Sequence, residues 1–228
     1  MIRRAMTSVL VASILATGAF ASWNVKVLNS SGVLNPPSTP VQVPIDINAS
    51  GPLFAPTPTI TVNALPQITF LTAAATPNPI LVGDGTAFTN GTFSGVYSIA
   101  PQPGNTTLLT GFNFVISGVV DGSAMIVWQK KVIRNSDNAL LYNDSGMFAG
   151  SGFGGTDGAF SVVIPVTLSA PANDVTVFEN FLLFVLPTDP ASTAGLLLVE
   201  QDWVPEPASM IALSSGLVGL LALRRRKR

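Results

Sequence analysis

The chain has 228 residues, with 11 lysines and arginines, 12 aspartates and glutamates, and neither histidine nor cysteine. The missing residue types exclude disulfides, thiolate and imidazole metal sites, and catalysis by Ser-His-Asp or Cys-His arrangements. Residues 22–204 hold four of the cationic side chains against eleven acidic ones, a net charge of −7. Because such an acidic segment repels phosphate backbones, we expect no nucleic acid partner.

The first 21 residues have the pattern of a secretory signal peptide. Arg3 and Arg4 supply the positive start, residues 9–20 are mostly apolar, and Ala19 and Ala21 form a small-x-small cleavage site. We therefore predict export by the general secretory route and cleavage after Ala21. The signal peptide then lies outside the folded part of the protein.

Residues 22–203 have the pattern of one exported domain of the all-β class. Short runs rich in β-branched and aromatic residues alternate with proline and glycine turns, and no stretch of ten residues has a convincing helical period. We predict an antiparallel β-sandwich, flanked by the N-terminal signal peptide and a C-terminal transmembrane helix. The predicted strands cover residues 23–29, 41–47, 59–62, 67–72, 92–99, 112–120, 123–134, 139–142, 160–168, 175–186 and 195–199.

Residues 35–66 differ from the rest of this domain in their proline content. They include eight prolines, and short β-branched runs at residues 41–47 and 59–62 lie between the prolines. Proline cannot donate a hydrogen bond to a sheet ladder. We therefore expect these runs to form strands at sheet edges.

Two pairs of neighbouring strands are predicted to form hairpins. Asp121-Gly122 is a type I′ turn signal between residues 112–120 and 123–134, and this hairpin should lie centrally with both faces covered. Residues 160–168 and 175–186 should pair through the loop that joins them. The intervening stretch at 146–158 contains six glycines and is expected to form a flexible surface loop.

The last 25 residues combine three features in a fixed order. A polar motif, Val204-Pro205-Glu206-Pro207, precedes 16 uncharged residues at 208–223. At ~1.5 Å per residue, a helix of that length reaches ~24 Å, which is a short membrane span. The two prolines fix φ, so the motif should be extended and accessible, with the helix beginning after it. The chain ends in cations that stop translocation, Arg224, Arg225, Arg226, Lys227 and Arg228.

This C-terminal pattern resembles the sorting signal of PEP-CTERM proteins, which exosortases recognise in Gram-negative bacteria. The resemblance covers residues 204–228, about the last tenth of the chain. It implies that an exosortase cleaves an inner membrane-anchored precursor at or near the motif. The exported domain of residues 22–203, or body, would then reach the cell surface or the extracellular matrix. A permanent membrane anchor is the alternative interpretation of the same residues.

The resemblance also implies a function outside the cell. PEP-CTERM proteins are associated with exopolysaccharide production and with biofilm and floc formation. We therefore expect a non-enzymatic extracellular matrix or surface protein without a cofactor. Its expected partners are the exosortase, the inner membrane and exopolysaccharide. The body itself contains no motif that identifies its ligand.

A secreted carbohydrate-binding module or carbohydrate-active enzyme is the alternative function. Its basis is four aromatic residues that are able to stack on sugar rings, namely Trp128, Trp203, Tyr97 and Tyr142. Trp128 also fits a core position, and Trp203 fits a membrane interface. The aromatic residues therefore leave both functions open.

Acidic side chains supply two further hypotheses. Paired carboxylates hydrolyse glycosides without histidine or cysteine, and the pairs nearest in sequence are Asp174 with Glu179 and Glu200 with Asp202. A calcium ion held by separate loops is the other hypothesis, with the candidate ligands Asp137, Asp144 and Asp157. Solvated acids at strand ends also explain both sets, and we predict neither a catalytic nor a metal site.

Overall fold

Apolar and polar residues alternate along most of the exported domain, and these runs form strands. The computed structural model describes residues 21–35, 39–76 and 78–206. These residues form fourteen strands and two short 3₁₀ turns. The strands are β1 (Trp23–Asn35), β2 (Thr39–Val41), β3 (Pro44–Ile47), β4 (Pro52–Phe54), β5 (Ile60–Val62), β6 (Gln67–Phe70), β7 (Leu81–Gly83), β8 (Asn90–Pro101), β9 (Leu109–Asp121), β10 (Ala124–Arg134), β11 (Leu140–Ala149), β12 (Gly158–Ala172), β13 (Val175–Val185) and β14 (Thr193–Pro205).

The two predicted terminal signals lie mostly outside the described residues. Ala19, Pro207, the predicted membrane helix at 208–223 and the basic residues after it all fall there. Within the described ranges, nothing helical reaches the length and hydrophobicity that a membrane crossing needs. Three motif residues are described, Val204, Pro205 and Glu206.

The strands pair antiparallel into two sheets that form a sandwich. The first sheet has the order β11-β10-β13-β8-β1-β2, with β5 also on β1. The second has the order β12-β9-β14-β6-β3-β4, with β7 also on β14. On β10, Ile126, Trp128 and Val132 point into the sandwich, whereas Gln129 and Lys131 are exposed on its outside. The predicted all-β fold, an antiparallel β-sandwich, is confirmed.

Aromatic contacts join the two sheets across the core. Phe70 on β6 meets Phe93 on β8 edge-on, with ring centroids 5.3 Å apart. Phe114 on β9 meets Trp128 on β10 at 5.4 Å. Each such pair contributes ~0.5–1.5 kcal/mol beyond the burial of its area. Since the chain has no cysteine, packing and strand pairing must stabilise the domain without disulfides.

The proline-rich segment forms strands at one end of each sheet, in partial agreement with the prediction. β2 and β4 are the terminal strands at that end, and β5 pairs only with β1. β3 is not an edge strand, because it pairs with both β4 and β6. The opposite ends of the two sheets are β11 and β12, from the later part of the chain.

The predicted hairpin at Asp121-Gly122 is wrong. β9 pairs with β12 and β14 in the second sheet, whereas β10 pairs with β11 and β13 in the first. Gly122 has the expected positive φ, 61°, but the turn carries the chain across the sandwich. The two strands therefore face each other through buried side chains such as Phe114 and Trp128. Each strand buries one face only, since Gln129 on β10 is exposed.

The second predicted hairpin is also wrong. β12 pairs with β9 in the second sheet, and β13 pairs with β10 and β8 in the first. The glycine-rich stretch at 146–158, which precedes the first arm of this predicted hairpin, is part strand and part hydrogen-bonded loop. Gly146 belongs to β11, where a Cβ would come within 2.7 Å of the Trp128 indole. In the loop, Oδ1 of Asp157 accepts bonds from the backbone N–H groups of Gly122 and Ser151, at 2.8 and 2.7 Å.

A buried ion pair links strands of both sheets. Nζ of Lys130 on β10 lies 2.5 Å from Oε2 of Glu179 on β13. Gln201 on β14 donates to the same oxygen at 2.9 Å. All three side chains are buried, and the Lys130 ammonium lies 3.7 Å from the centroid of the Phe114 ring. The sequence analysis did not identify this pair.

Desolvation dominates the electrostatics of this pair. Burial lowers the pKa of Lys130 to about 8, although the charge of Glu179 and its hydrogen bond oppose the shift. Burial likewise raises the pKa of Glu179 despite the nearby Lys130. When desolvation outweighs attraction, a buried pair adds little net stability, whereas removing one partner leaves an uncompensated charge. We infer that the pair mainly fixes the relative positions of β10, β13 and β14.

We predict that Glu179→Gln lowers the free energy of unfolding by about 3 kcal/mol, because Lys130 must then either keep a buried charge without a counter-ion or release its proton, and both cost free energy. The double variant Lys130→Met/Glu179→Gln should recover most of that loss. Urea unfolding of residues 22–206 at pH 7 measures both. A double variant less stable than the single one would show that the pair contributes net stability.

We also predict that Gly122→Val destabilises the domain more than Gly104→Val does. Both glycines have positive φ, 61° and 88°, so each substitution costs ~1–3 kcal/mol of backbone strain. A Cβ at Gly122 would also come within 2.4 Å of Oγ of Ser192, whereas nothing lies within 4 Å at Gly104. Ser192 cannot move easily, because it bonds Asp189 and the Ser123 N–H. Equal losses in urea unfolding would contradict the contact.

Candidate functional site

The outer face of the first sheet carries a row of hydroxyl and amide side chains. Ser94, Asn180, Gln129 and Ser145 are in register across β8, β13, β10 and β11. Oγ of Ser94 donates to Oδ1 of Asn180 at 2.7 Å. With strands ~4.8 Å apart, the row is ~14 Å long. Amides and hydroxyls both donate and accept hydrogen bonds, so the row suits a ligand rich in hydroxyl groups.

A shallow depression lies beside this row. Its volume is about 210 Å³, and its lining consists of Gln129, Lys131, Ile133, Phe178 and Asn180. Phe178 is half-buried and contributes an aromatic surface between polar neighbours. The depression is smaller than the enclosed pockets of ~300–1,000 Å³ that hold most small ligands. It therefore suits a platform for part of a larger molecule.

Charge is segregated between the two sheets. The cationic residues of 22–206 all lie on two strands of the first sheet, Lys26 on β1 and Lys130, Lys131 and Arg134 on β10. Lys130 is buried with Glu179, and Arg134 pairs with Asp137 at 2.8 Å. Lys26 and Lys131 are exposed on the outer face.

The second sheet has the opposite character. Its strands contain no lysine or arginine within the described residues. Asp46, Glu200 and Asp202 are half-buried on its outer side, and Thr69 donates to Oε2 of Glu200 at 2.9 Å. In the first sheet, β1, β8, β10 and β13 contain a single acid, the buried Glu179, and the edge strand β11 adds the exposed Asp144. The exposed positive charge of an acidic body is therefore concentrated on one face.

The aromatic residues predicted to stack on sugars do not form a surface. Trp128 is 5% exposed, Trp203 3% and Tyr97 0%, so all three belong to the core. Trp203 packs on Phe112 with ring centroids 4.8 Å apart, which also contradicts its predicted place at a membrane interface. Tyr142 is half-buried at the sandwich edge and packs on the same Phe112 at 6.0 Å. A sugar-stacking role is therefore wrong for Trp128, Trp203 and Tyr97.

The structure separates one candidate carboxylate pair and keeps the other on one side of a strand. Glu179 is buried with Lys130, whereas Asp174 precedes β13 and accepts a hydrogen bond from Asn135, so these two do not form a pair. Glu200 and Asp202 lie on the same side of β14. Burial raises the pKa of Asp202, and the charge of Glu200 raises it further.

The three aspartates considered for calcium lie far apart. Asp137 pairs with Arg134 after β10, whereas Asp157 bonds Gly122 before β10. Eleven strand residues separate these ends, a length of ~36 Å. Asp144 lies on β11 beside Tyr142. The described residues contain no group of three acids placed to hold a metal ion.

The sorting motif begins inside a strand. Val204 and Pro205 are the last residues of β14, and Glu206 follows directly. The Glu206 N–H donates to the Leu108 carbonyl at 2.8 Å, and Oγ1 of Thr110 lies 3.3 Å from the Pro205 carbonyl oxygen. Residues 204–206 continue the extended strand, as predicted, but their backbone is bonded to the body, which contradicts the expected accessibility. Pro205 and Glu206 are half-buried.

Both ends of the described body meet at one pole of the sandwich. The Ser22 carbonyl accepts hydrogen bonds from the Gln102 N–H at 3.0 Å and from the Asn105 side chain at 2.8 Å. Residues 102–108 connect β8 to β9 and also supply the Leu108 carbonyl that bonds the motif. The predicted cleavage site at Ala21 and the sorting motif therefore lie next to the same connection.

The sequence analysis missed most of these surface residues. The alternation in β10 places Gln129 and Trp128 on opposite faces of the strand. The sequence analysis paired β13 with β12 instead of β10 and β8, so the polar row across these strands could not be recognised. The restriction of the cations to two short segments is visible in the sequence and could have indicated this face. No local sequence pattern identifies Thr110 or Leu108, because their contacts depend on the pairing of β9 with β14.

Comparison with known proteins gives one specific match. The family described as the PEP-CTERM protein-sorting motif matches residues 204–227. No curated protein matches the chain.

Solved structures resemble it weakly. The CBM36-1 domain of a multidomain xylanase from the hindgut metagenome of Trinervitermes trinervoides is 11% identical, with a TM-score of 0.26 over 55% of this chain and 79% of that one. A structure from a study of promiscuous carbohydrate-binding modules of the β-sandwich superfamily is 12% identical, with a TM-score of 0.25 over 79% and 98%. A structure of the infectious bursal disease virus Gx strain is 13% identical, with a TM-score of 0.25 over 82% and 56%. Such TM-scores give no basis for transferring a function.

The matched segment contains the features that the sequence pattern singled out, the polar motif, the apolar run and the basic end. The motif indicates export as a membrane-anchored precursor that is processed by an exosortase. The chain is a PEP-CTERM domain-containing protein.

Proposed function

We propose that this protein is a non-enzymatic component of the cell surface or extracellular matrix that binds exopolysaccharide and supports biofilm or floc formation. Sorting by an exosortase would remove the membrane segment and deliver the body to the outside. The observation that carries the proposal is the outer face of the first sheet. It combines a polar row, an aromatic side chain and the exposed lysines of an otherwise acidic body.

The chemistry of this face favours an acidic polysaccharide. Hydroxyl groups of sugars exchange hydrogen bonds with Gln129 and Asn180, and the face of a sugar ring is apolar enough to lie on Phe178. Lys26 and Lys131 lie on opposite sides of β8 and β13, three strand spacings or ~14 Å apart. They are thus placed to contact carboxylates at two points along one chain, while the acidic second sheet repels the same polymer.

A carbohydrate-active enzyme is the second candidate, and Glu200 with Asp202 is the observation that favours it. The two carboxylates share a side of β14, and the pKa of Asp202 is raised by burial and by its neighbour. Sugar release from polysaccharides by the purified body tests this reading. Activity lost in Asp202→Asn would support the enzyme and contradict the non-enzymatic proposal.

We predict that Glu206→Ala blocks sorting in a host with an active exosortase. The substitution barely alters the hydrophobicity that sets membrane insertion, so a permanent anchor should behave like the wild type. A sorted substrate should accumulate as the longer, membrane-bound precursor, with less body at the surface or in the medium. The measurements are the mass of the protein and its distribution between fractions. Identical mass and distribution would overturn exosortase sorting.

We predict that Lys26→Gln and Lys131→Gln each weaken binding to a polyuronate such as alginate by about twofold to fivefold, the usual range for exposed charge pairs. Arg134→Gln is the matched control, because Asp137 already neutralises this residue. Binding should also weaken with added salt. Affinity electrophoresis in gels with alginate or neutral dextran measures the effect. Equal retardation of the wild type and both lysine variants would contradict the proposed face.

A further inference from the structure

The sorting motif offers few backbone groups to an enzyme. Proline has no N–H, so Glu206 carries the single backbone donor in Pro205-Glu206-Pro207. That donor is bonded to the Leu108 carbonyl at 2.8 Å. An enzyme that binds an extended substrate through its main chain therefore meets a motif whose donor is already engaged.

Two carbonyl groups of the motif share one side-chain donor, because the Thr110 hydroxyl has a single proton to donate. Oγ1 of Thr110 lies 3.5 Å from the Val204 oxygen and 3.3 Å from the Pro205 oxygen. The register of β14 on β9 pairs Val204 with Gly111 and Pro205 with Leu109, with a bulge between the two pairs. β9 thus continues its ladder into the first half of the motif and occupies the edge of the motif that faces it.

The body also fixes the residue before the motif. Trp203 is 3% exposed, and its backbone N–H donates to the Pro66 carbonyl at 3.1 Å. Its ring packs on Phe112 of β9. No free linker therefore separates the folded body from Val204. The strand can fray only after Trp203, because β6 pairs with the adjacent edge of β14 only as far as Asp202.

We propose that β9 withholds the sorting motif, so that residues 204–206 must separate from Leu108 and Thr110 before the exosortase can bind them. Thr110 is a positioning residue in this proposal, since it acts on the motif backbone and takes no part in the cleavage. The folded body and the enzyme compete for the same segment. Processing should therefore follow the fraction of molecules in which the end of β14 is open. The inference rests on exosortase sorting.

The first test replaces the Thr110 hydroxyl in the full-length chain, in a host with an active exosortase. Thr110→Val keeps the shape and strand preference but removes both contacts, and it should speed conversion of precursor to mature protein by about twofold to tenfold. Thr110→Ser keeps a hydroxyl and should restore a rate close to the wild type. Thr167→Val is the matched control, because Thr167 lies on β12 beside Gly111 and is exposed. Pulse–chase labelling measures the rates.

A second test separates release of the motif from general destabilisation. Four residues, Gly-Ser-Gly-Ser, are inserted between Trp203 and Val204, so that the motif no longer reaches its register on β9. This variant should be processed faster than the wild type. Thr110→Val should then add nothing in the inserted chain, whereas a general loss of stability would act in both backgrounds.

Each outcome decides the proposal. Faster processing in Thr110→Val that disappears in the inserted chain supports it. Equal rates for Thr110→Val, Thr110→Ser and the wild type overturn it, and so does a slower rate in Thr110→Val, which would mean that β9 presents the motif. Glu206→Ala is run in parallel. If that variant is processed normally, the sorting itself fails, whereas normal sorting with no effect at Thr110 rejects only the role of β9.

Discussion

The pairing of β9 with β14 is the constraint on which the rest of the structure depends. It runs from Asp121 opposite Thr193 to Leu109 opposite Pro205, is interrupted by bulges at Leu196/Leu198 and Val204/Pro205, and forms the longest pairing around β14 in the second sheet. Its inward side chains meet those of the first sheet, and its far end reaches the sorting motif. One ladder therefore both closes the core and determines how the motif is held. A change in its register would turn every inward residue outwards.

Charge placement follows from the same two-sheet arrangement. A body with so few cations can expose positive charge only where its strands place them, and those strands are β1 and β10 of the first sheet. One lysine of β10 points inwards and is compensated by Glu179, while its neighbour points outwards. Because strand side chains alternate, two adjacent lysines thus serve a buried contact and a surface contact. The result is a sandwich with one basic and one acidic face.

The pole of the sandwich and the outer face of the first sheet have different proposed roles. At the pole, Ser22 and Glu206, near the two ends of the described residues, both bond the connection between β8 and β9. Leu108 and Thr110, which hold the motif, do not belong to the first sheet. The contact with the motif and the proposed ligand-binding face are therefore different surfaces. The buried Glu179 with Gln201 connects them physically, since it joins β13 of the basic face to β14, which ends in the motif.

The sequence by itself determined the all-β class, the edge position of two proline-rich strands, β2 and β5, and the sorting motif, because these depend on local composition and residue order. It did not determine strand partners. Asp121-Gly122 has the local pattern of a hairpin, yet the chain crosses the sandwich there because the inward faces of β9 and β10 bury each other. The ion pair, the polar row and the hold of Thr110 on the motif all depend on such partners. Only the tertiary structure decided them, since contacts between residues distant in sequence leave no local signal.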